Sequence, residues 1–541
     1  MNYQGSPDQQ MSSGLFGRTI SSILIVLLFM ASTNSTFAQS PEIRKAFRFM
    51  DIEQPSKGIA ALEQAAQANP ENLYYLGLGY ILTGANDKAL ATFEKGISAD
   101  GNDALSVAGK GHVKLLQKKP TEGKALVTEA LDMNRKKSAE QYKAVGRAYL
   151  SDTKFLLDAK SALEKAKSMD NGDPEVHLLL GDAYLMENQG GESVTSYERA
   201  ARADAKWAKP LYKIAKVYQR SKNNEIFMEN LNKAITVDPE YAPAYMELGE
   251  IYYKQKEAAK AVEAYEKYLS ISETPGEAKF KYAFFLFMAK NYQKANEIFK
   301  EVLNDKNASP TALKFYAYSL IEQDKDEEAR NILEQYFQKA KPEELKASDY
   351  ASYGKLLVKL KEDSLANEVL AKGIALDSTD VETRELQAET YLKRKKYEKA
   401  AAAYEDLIKT REGGALSPDL YYMGSSYYFS DQFVEADSAF TQLAKRQPNM
   451  TIGYLWAAKA RVQVDSTAEA GVAVPMYEAY VEKALVNPQK NKKDLIEAYD
   501  YLGTYALQRK DNVAEATSYF KKVLELDPNN ERAKDFMDAI K

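Results

Sequence analysis

Residues 248–265 read LGEIYYKQKEAAKAVEAY, and this stretch decides the fold. Leu248, Gly249 and Tyr252 fall on one face of a helix, because residues three and four apart are neighbours on a helical surface. Ala261 and, four residues later, Tyr265 repeat the same stripe on a second helix. Where two helices cross, a glycine or alanine lets the backbones approach, and an aromatic from one helix fills the groove of the other. The stretch therefore predicts a helical hairpin closed by Gly249, Ala261 and Tyr265.

The same signature recurs on both sides. Leu180-Gly181…Tyr184, Ile214-Ala215…Tyr218, Leu248-Gly249…Tyr252, Tyr282-Ala283…Leu286 and Tyr316-Ala317…Leu320 follow one another at steps of 34 residues. Upstream stand Leu76-Gly77…Tyr80 with Ala89/Phe93, and Val145-Gly146…Tyr149. Downstream stand Tyr353-Gly354, Gln387-Ala388, Met423-Gly424 and Leu502-Gly503, with some steps stretched to 36 or 37 as short loop insertions would stretch them. Pro70, Pro239, Pro448, Pro488 and Pro528 punctuate the units, since proline cannot continue a helix. One hairpin cannot bury its own apolar face, so the units make sense only as a stacked array of about fourteen.

The composition agrees. Apolar residues make up 45% and charged residues 28% of 541, ordinary globular usage that excludes a disordered or collagen-like chain. Cysteine is absent, which removes disulfides, thiolate metal sites and cysteine nucleophiles. The net charge of −5 gives no electrostatic reason to expect nucleic acid. Near the N-terminus, Arg18 precedes an apolar run from Ile20 to Ala31, and Thr36-Phe37-Ala38 places small residues before Gln39. This layout predicts a signal peptide over 1–38, cleaved after Ala38, and an exported, periplasmic mature chain without a transmembrane segment.

The recurring Leu-Gly-x-x-Tyr…Ala…Phe pattern resembles the tetratricopeptide repeat, over nearly the whole chain from Pro41 to Lys541. The resemblance implies an all-α, right-handed α-solenoid whose concave groove, built from the first helix of each hairpin, binds peptides or partner proteins. Exported, tyrosine-rich arrays of this type are similar to envelope proteins of Bacteroidota. We expect N-terminal hairpins over 39–136, a regular central array over 137–410, a C-terminal array over 411–529 with a degenerate unit, and a capping helix over 530–541. Two units depart from the pattern: 101–136, where Gly109 or Gly111 serves as the packing glycine, and 449–490, with a loop near Asp465–Val474 before a helix Pro475–Leu485. The first hairpin lacks the leading Leu-Gly pair.

Candidate partner-binding residues are apolar side chains at groove positions of the first helices. One set is Phe280, Phe284, Phe287 and Met288, flanked by Met246 and Tyr253 on one side and Tyr318 on the other. The second is Tyr421, Tyr428 and Phe429. An apolar patch that core packing does not claim is a candidate interaction surface. At the positions where the family's chaperone-tail clamp uses lysine and asparagine stand Lys143 and Arg147, or Tyr212 and Lys216, with no asparagine, so that role is not supported.

No catalytic, cofactor-binding or metal-binding constellation is found. His112 and His177 are the only imidazoles, and both read as packing or surface residues, since no HExxH pair or cysteine accompanies them. On one register His112 takes the aromatic position of its first helix. Nucleophile-elbow and phosphate-loop motifs are absent. The sequence thus points to a non-catalytic scaffold or adaptor of the periplasm that binds proteins along its groove. The alternative is an assembly or stability factor for an outer-membrane or secretion complex, associated with the outer membrane through that complex.

Overall fold

The computed structural model describes residues 40–133, 136–273 and 276–540; the expected signal peptide lies outside them. Among the described residues there are α-helices and three short 3-10 turns, and no strand. The helices pair into fourteen hairpins, numbered here in chain order, at 41–68, 73–99, 104–132, 139–169, 174–203, 208–237, 242–271, 276–303, 310–339, 347–376, 381–410, 417–446, 451–484 and 492–526, followed by the helix Glu531–Ala539. This is an all-α solenoid architecture. The chain divides into two compact units, up to Lys294 and from Ala295.

Within each hairpin the first helix (A) and the second (B) meet where the repeat pattern places its small residue. A methyl group on Gly249 would stand 2.3 Å from the Tyr265 ring, one on Gly181 2.4 Å from Tyr197, and one on Gly77 2.2 Å from Phe93. All three rings are fully buried. The aromatic of helix B thus occupies the space that a side chain on helix A would need.

The turn between helices A and B repeats as faithfully as the core. Asn188, Lys222, Lys256, Lys290 and Asp324 all adopt φ between 56° and 63°, the left-handed conformation that ends a helix and reverses the chain. In hairpin 2 this place belongs to Gly84, at φ 75°. Helix A starts are capped locally. Asp103 accepts from Ser106 N at 3.0 Å, Ser138 from Gln141 N at 3.1 Å, and Asp173 from Glu175 N at 2.8 Å. Each such cap satisfies a backbone donor that the helix itself leaves unpaired.

Of the irregular units, hairpins 1 and 3 prove regular in geometry, while hairpin 13 keeps a longer loop. In hairpin 3 both candidate glycines are used. Gly111 faces helix B of its own hairpin, where a methyl would lie 2.7 Å from Val127 and 3.1 Å from the Gly123 carbonyl, while Gly109 receives Phe93 of hairpin 2. The register is therefore Gly111, Gly123 and Val127, and His112 follows the packing glycine instead of taking the aromatic position. Hairpin 1 keeps the same offsets with the glycine moved to helix B: Ala46 faces Gly58, with Leu62 buried four residues on. In hairpin 13 a loop links Thr451–Val464 to Val474–Ala484, one residue from the expected helix start. Arg461 ties it down, with Nε on Asp437 at 2.8 Å and Nη1 on the Val472 carbonyl at 3.3 Å. The helix Glu531–Ala539 covers the end of hairpin 14: the Phe536 ring lies tilted 4.5 Å from Phe520, while Arg532, Lys534 and Asp538 are exposed as a cap requires.

Candidate partner-binding surface

Within each unit, side chains of successive A helices meet, and they decide what a groove presents. In the first unit they are laced by ion pairs of alternating sense. Asp182 meets Lys213 at 3.0 Å, Lys216 meets Glu247 at 2.6 Å, and Glu250 meets Lys281 at 2.8 Å, each pair 31 residues apart in sequence. Each joins the residue just after one unit's small residue to the residue two before the next unit's. Where the first partner is acidic, a tyrosine of helix B pins it: Tyr197 donates to Asp182 at 2.6 Å and Tyr265 to Glu250 at 2.9 Å. Burial, reinforced by these carboxylates, pushes both phenols up. The Asp182–Lys213 and Glu250–Lys281 pairs are partly exposed on both sides, so each contributes at most about 1 kcal/mol, whereas Glu247 is buried beside its lysine; what all three fix is the register between hairpins. Opposite charges at a spacing of 31 are the sequence signal that the hydrophobic pattern did not reveal.

Hairpins 4 and 5 carry a denser cluster. Lys143, 2% exposed, lies 2.6 Å from Glu140, 2.8 Å from Asp173 and 3.3 Å from Glu175, and Arg147 lies 2.5 Å from Glu175. Arg147 also donates to Tyr74 Oη at 2.7 Å. Burial pulls the Glu175 carboxyl upward, but Arg147 and Lys143 outweigh it and hold the group at about 2. Burial dominates at Glu140 and pushes it up. Lys143 and Arg147, the two cations that a peptide carboxylate would need, are thus engaged by the chain's own acids.

Both histidines are buried. His177 Nε2 lies 2.9 Å from the Asn171 carbonyl. His112, 8% exposed, is pushed down to about 3 by burial and by the Arg147 charge. A base whose folded pKa lies below its unfolded value keeps its full contribution above the unfolded pKa, near 6.5, and loses it as pH falls toward the folded one. We therefore expect the first unit to lose up to about 1.4 kcal/mol per pH unit below about 6.5. The variant His112→Gln should flatten urea midpoints between pH 6.5 and 4.5, a window above the one in which Glu175 titrates. Among the described residues no group of three or more His, Asp or Glu side chains is placed to hold a metal ion.

The ten candidate residues fall into three settings. Tyr253 packs edge-on to Phe284 at 5.4 Å and stacks on Phe285 at 5.2 Å, so these rings join hairpins 7 and 8. Met246, Phe280 and Phe287 are half-buried, with Phe287 5.8 Å from Tyr292, and Met288 is 45% exposed. Tyr318, in the second unit, is half-buried, and its hydroxyl donates to Asp349 at 3.3 Å. Asp349 is a buried hub that also accepts from Tyr336 at 2.8 Å and pairs with Lys314 at 3.1 Å.

The third setting is the richest. Phe429, 51% exposed, lies 5.3 Å from Tyr397, 5.5 Å from Tyr428 and 6.0 Å from Trp456. Trp456 also packs on Tyr428 at 5.2 Å and stacks on Phe440 at 5.7 Å, and Phe440 touches Tyr421 at 6.2 Å. Lys459 stands 5.5 Å over the Trp456 ring, and Val434 at the start of the next helix is 65% exposed. Trp456 was absent from the candidates because hairpin 13 departs from the pattern; its rarity, as one of two tryptophans, is the signal that could have found it. Rings that are half open, and preset by neighbouring rings, offer apolar area at little entropic cost.

Sequence models described as tetratricopeptide repeat match residues 208–241, 229–278, 420–449 and 496–530. One described as anaphase-promoting complex, cyclosome, subunit 3 matches 254–336. The chain is 32% identical to the C-terminal part of a TPR repeat-containing protein from Cytophaga hutchinsonii, over 48% of this chain and 98% of that one, with a TM-score of 0.38. A tetratricopeptide repeat protein from Parabacteroides merdae is 20% identical over 47% of this chain and 98% of its own, with a TM-score of 0.29. Over 118 residues the chain is 27% identical to tetratricopeptide repeat protein 1 of Schizosaccharomyces pombe; that match covers 22% of this chain and 11% of the yeast protein's length. With the hairpin geometry, the glycine–aromatic crossings, the repeat models and the 32% identity over 98% of the Cytophaga chain together, the chain belongs to the tetratricopeptide-repeat family.

Proposed function

We propose that this protein is a non-catalytic scaffold of the periplasm that docks partner proteins against the aromatic surface of hairpins 11 to 13. The observation that carries this reading is the half-open ring cluster of Tyr397, Tyr428, Phe429 and Trp456, with Phe429 51% exposed. Preset aromatic anchors bordered by a cation suit a protein surface or an extended peptide better than a small polar substrate. Among the described residues no helix is long and apolar enough to cross a membrane, and export rests on the Arg18–Ala38 layout.

Two measurements test the proposal. The protein recovered from the periplasmic fraction should begin at Gln39; a chain retaining residues 1–38 in the cytosol would contradict export. Immobilised wild type should retain a defined partner from envelope extract, and Phe429→Ala with Val434→Ala should weaken that capture by roughly thirty-fold, since a central aromatic anchor is worth about 2 kcal/mol. The helical circular-dichroism signal should not change. No specific capture by wild type, or equal capture by the variant, would count against the reading.

A further inference from the structure

The turn of hairpin 1 is held by residues far along the chain. Trp207 Nε1 donates to Asp51 Oδ2 at 2.7 Å, and Lys209 Nζ donates to Asp51 Oδ1 at 2.7 Å. Tyr268 Oη donates to Glu53 Oε2 at 2.7 Å. Arg48 forks onto Asp238 at 2.8 and 2.9 Å and reaches Glu240 at 2.8 Å. The main chain joins in: Glu273 N donates to the Glu53 carbonyl at 2.8 Å, and Gln54 Nε2 to the Ile271 carbonyl at 2.6 Å. Between these polar contacts Ile52, 1% exposed, is buried in the apolar cluster of Ala208, Phe227, Tyr241 and Ala244. All the partners belong to hairpins 6 and 7 or to the connections flanking them.

Two features set this contact apart. A repeat array is stabilised by its nearest neighbours, yet here hairpin 1 skips four hairpins to reach hairpin 6. Its chemistry is also that of a bound peptide: a buried apolar anchor, two carboxylates with dedicated donors, a bidentate arginine, and main-chain hydrogen bonds. The receiving edge is not the groove face. It is formed by the starts of two A helices and by the connections that lead into and out of hairpin 7.

We propose that this edge of hairpins 6 and 7 is a recognition site for a short segment of another protein carrying a basic residue followed, three positions on, by an acidic, an apolar and an acidic residue. Arg48, Asp51, Ile52 and Glu53 are its resident occupant. Among the described residues hairpin 1 has an array neighbour on one side, hairpin 2, so small rotations at the interfaces of hairpins 1 to 6 release it together. While seated, the tethered turn competes with any free segment at an effective concentration of about millimolar. The site therefore binds weakly in the clasped chain and strongly once the occupant is weakened. The inference is independent of the ring cluster in the second unit, and its test reads a different residue.

The full chain carrying Trp456→Phe leaves Trp207 as its single tryptophan, and Trp207 emission then reports the site directly. The probe is a synthetic peptide copying residues 46–56. With Asp51→Ala and Glu53→Ala added to the chain, Trp207 emission should shift to the red. The peptide should reverse the shift, binding at least tenfold tighter than to the clasped chain. The same peptide with both acids replaced by amides should not bind, and Lys209→Ala in the chain should abolish binding. If the double variant loses helicity, Arg48→Ala, which removes only the half-exposed fork, should give the same tightening. Equal affinity for clasped and unclasped chains, indifference to the amide replacement, or a doubling of mass on sedimentation as copies exchange hairpin 1 would each overturn the proposal.

Discussion

Gly249→Val destabilises the first unit by about 3 kcal/mol, at the upper end of what overpacking a closed core costs. A methyl group at this position already stands 2.3 Å from Cδ2 and 2.7 Å from Cε2 of Tyr265. The ring cannot swing away, because it is fully buried, its hydroxyl donates to Glu250 at 2.9 Å, and Phe285 meets it edge-on at 4.9 Å. Relief must come from separating the two helices, which exposes the interfaces with hairpins 6 and 8. Gly191→Ala has the opposite sign: nothing lies within 4 Å of the added methyl on this helical residue, and alanine is favoured over glycine there by about 0.5–1 kcal/mol. Hydrogen exchange should show faster amide exchange in residues 208–288 for Gly249→Val and slower exchange in 190–203 for Gly191→Ala. Loss of protection spread evenly over the whole chain would contradict nearest-neighbour coupling.

What the sequence reveals here is set by sequence distance. The 34-residue phase and the glycine–aromatic crossing are readable because they recur with fixed residue types, and the helix after the loop near Asp465 is readable to within one residue; the left-handed turn residue recurs as faithfully but as asparagine, lysine or aspartate, so it leaves no such signature. Hairpin 1 was harder because its glycine moved to helix B, at Gly58, so the Leu-Gly pair vanished while the offsets survived. The groove residues were half readable. Their apolar character marked them as unclaimed by their own hairpin, but neighbouring A helices lie close enough for Tyr253, Phe284 and Phe285 to claim one another. Met288 and Phe429 keep large exposure, Met288 at the end of its helix. The clasp of Asp51 by Trp207 and Lys209 left no periodic trace at all. It joins residues more than 150 positions apart, and no repeat spacing encodes a contact made once.

The ion-pair ladder and the buried cluster of hairpins 4 and 5 look alike in sequence but differ in energy. Lys213, Lys216 and Lys281 keep partial contact with water, and removing Lys213 or Lys281 leaves a partner, Asp182 or Glu250, that is itself partly exposed; only Glu247, the partner of Lys216, is buried. Lys143 has no such access. The same lysine–carboxylate pairing is therefore an alignment device in one place and an obligatory neutralisation in the other. Burial, and not the number of pairs, decides which it is.

Lys143→Met follows from that difference and should cost about 3–5 kcal/mol at pH 8, because it strands carboxylates that the lysine neutralised. Glu140 loses its partner at 2.6 Å, Asp173 its contact at 2.8 Å, and Glu175 its contact at 3.3 Å while keeping Arg147. Burial already pushes the Glu140 carboxyl up, and without Lys143 it rises further. An acid whose folded pKa exceeds its unfolded value contributes fully below the unfolded pKa and loses that contribution as pH climbs through the folded one. The deficit of Lys143→Met against wild type should therefore be small near pH 4.5 and open steadily toward pH 8. His112 weakens both proteins alike as pH falls, so it cancels in the difference. Adding Glu140→Gln should recover much of the loss at pH 8, and the coupling of the two substitutions measures the pair itself. A deficit that is the same at pH 4.5 and pH 8, measured by urea unfolding, would mean that the lysine stem's packing, and not its charge, holds hairpins 4 and 5 together.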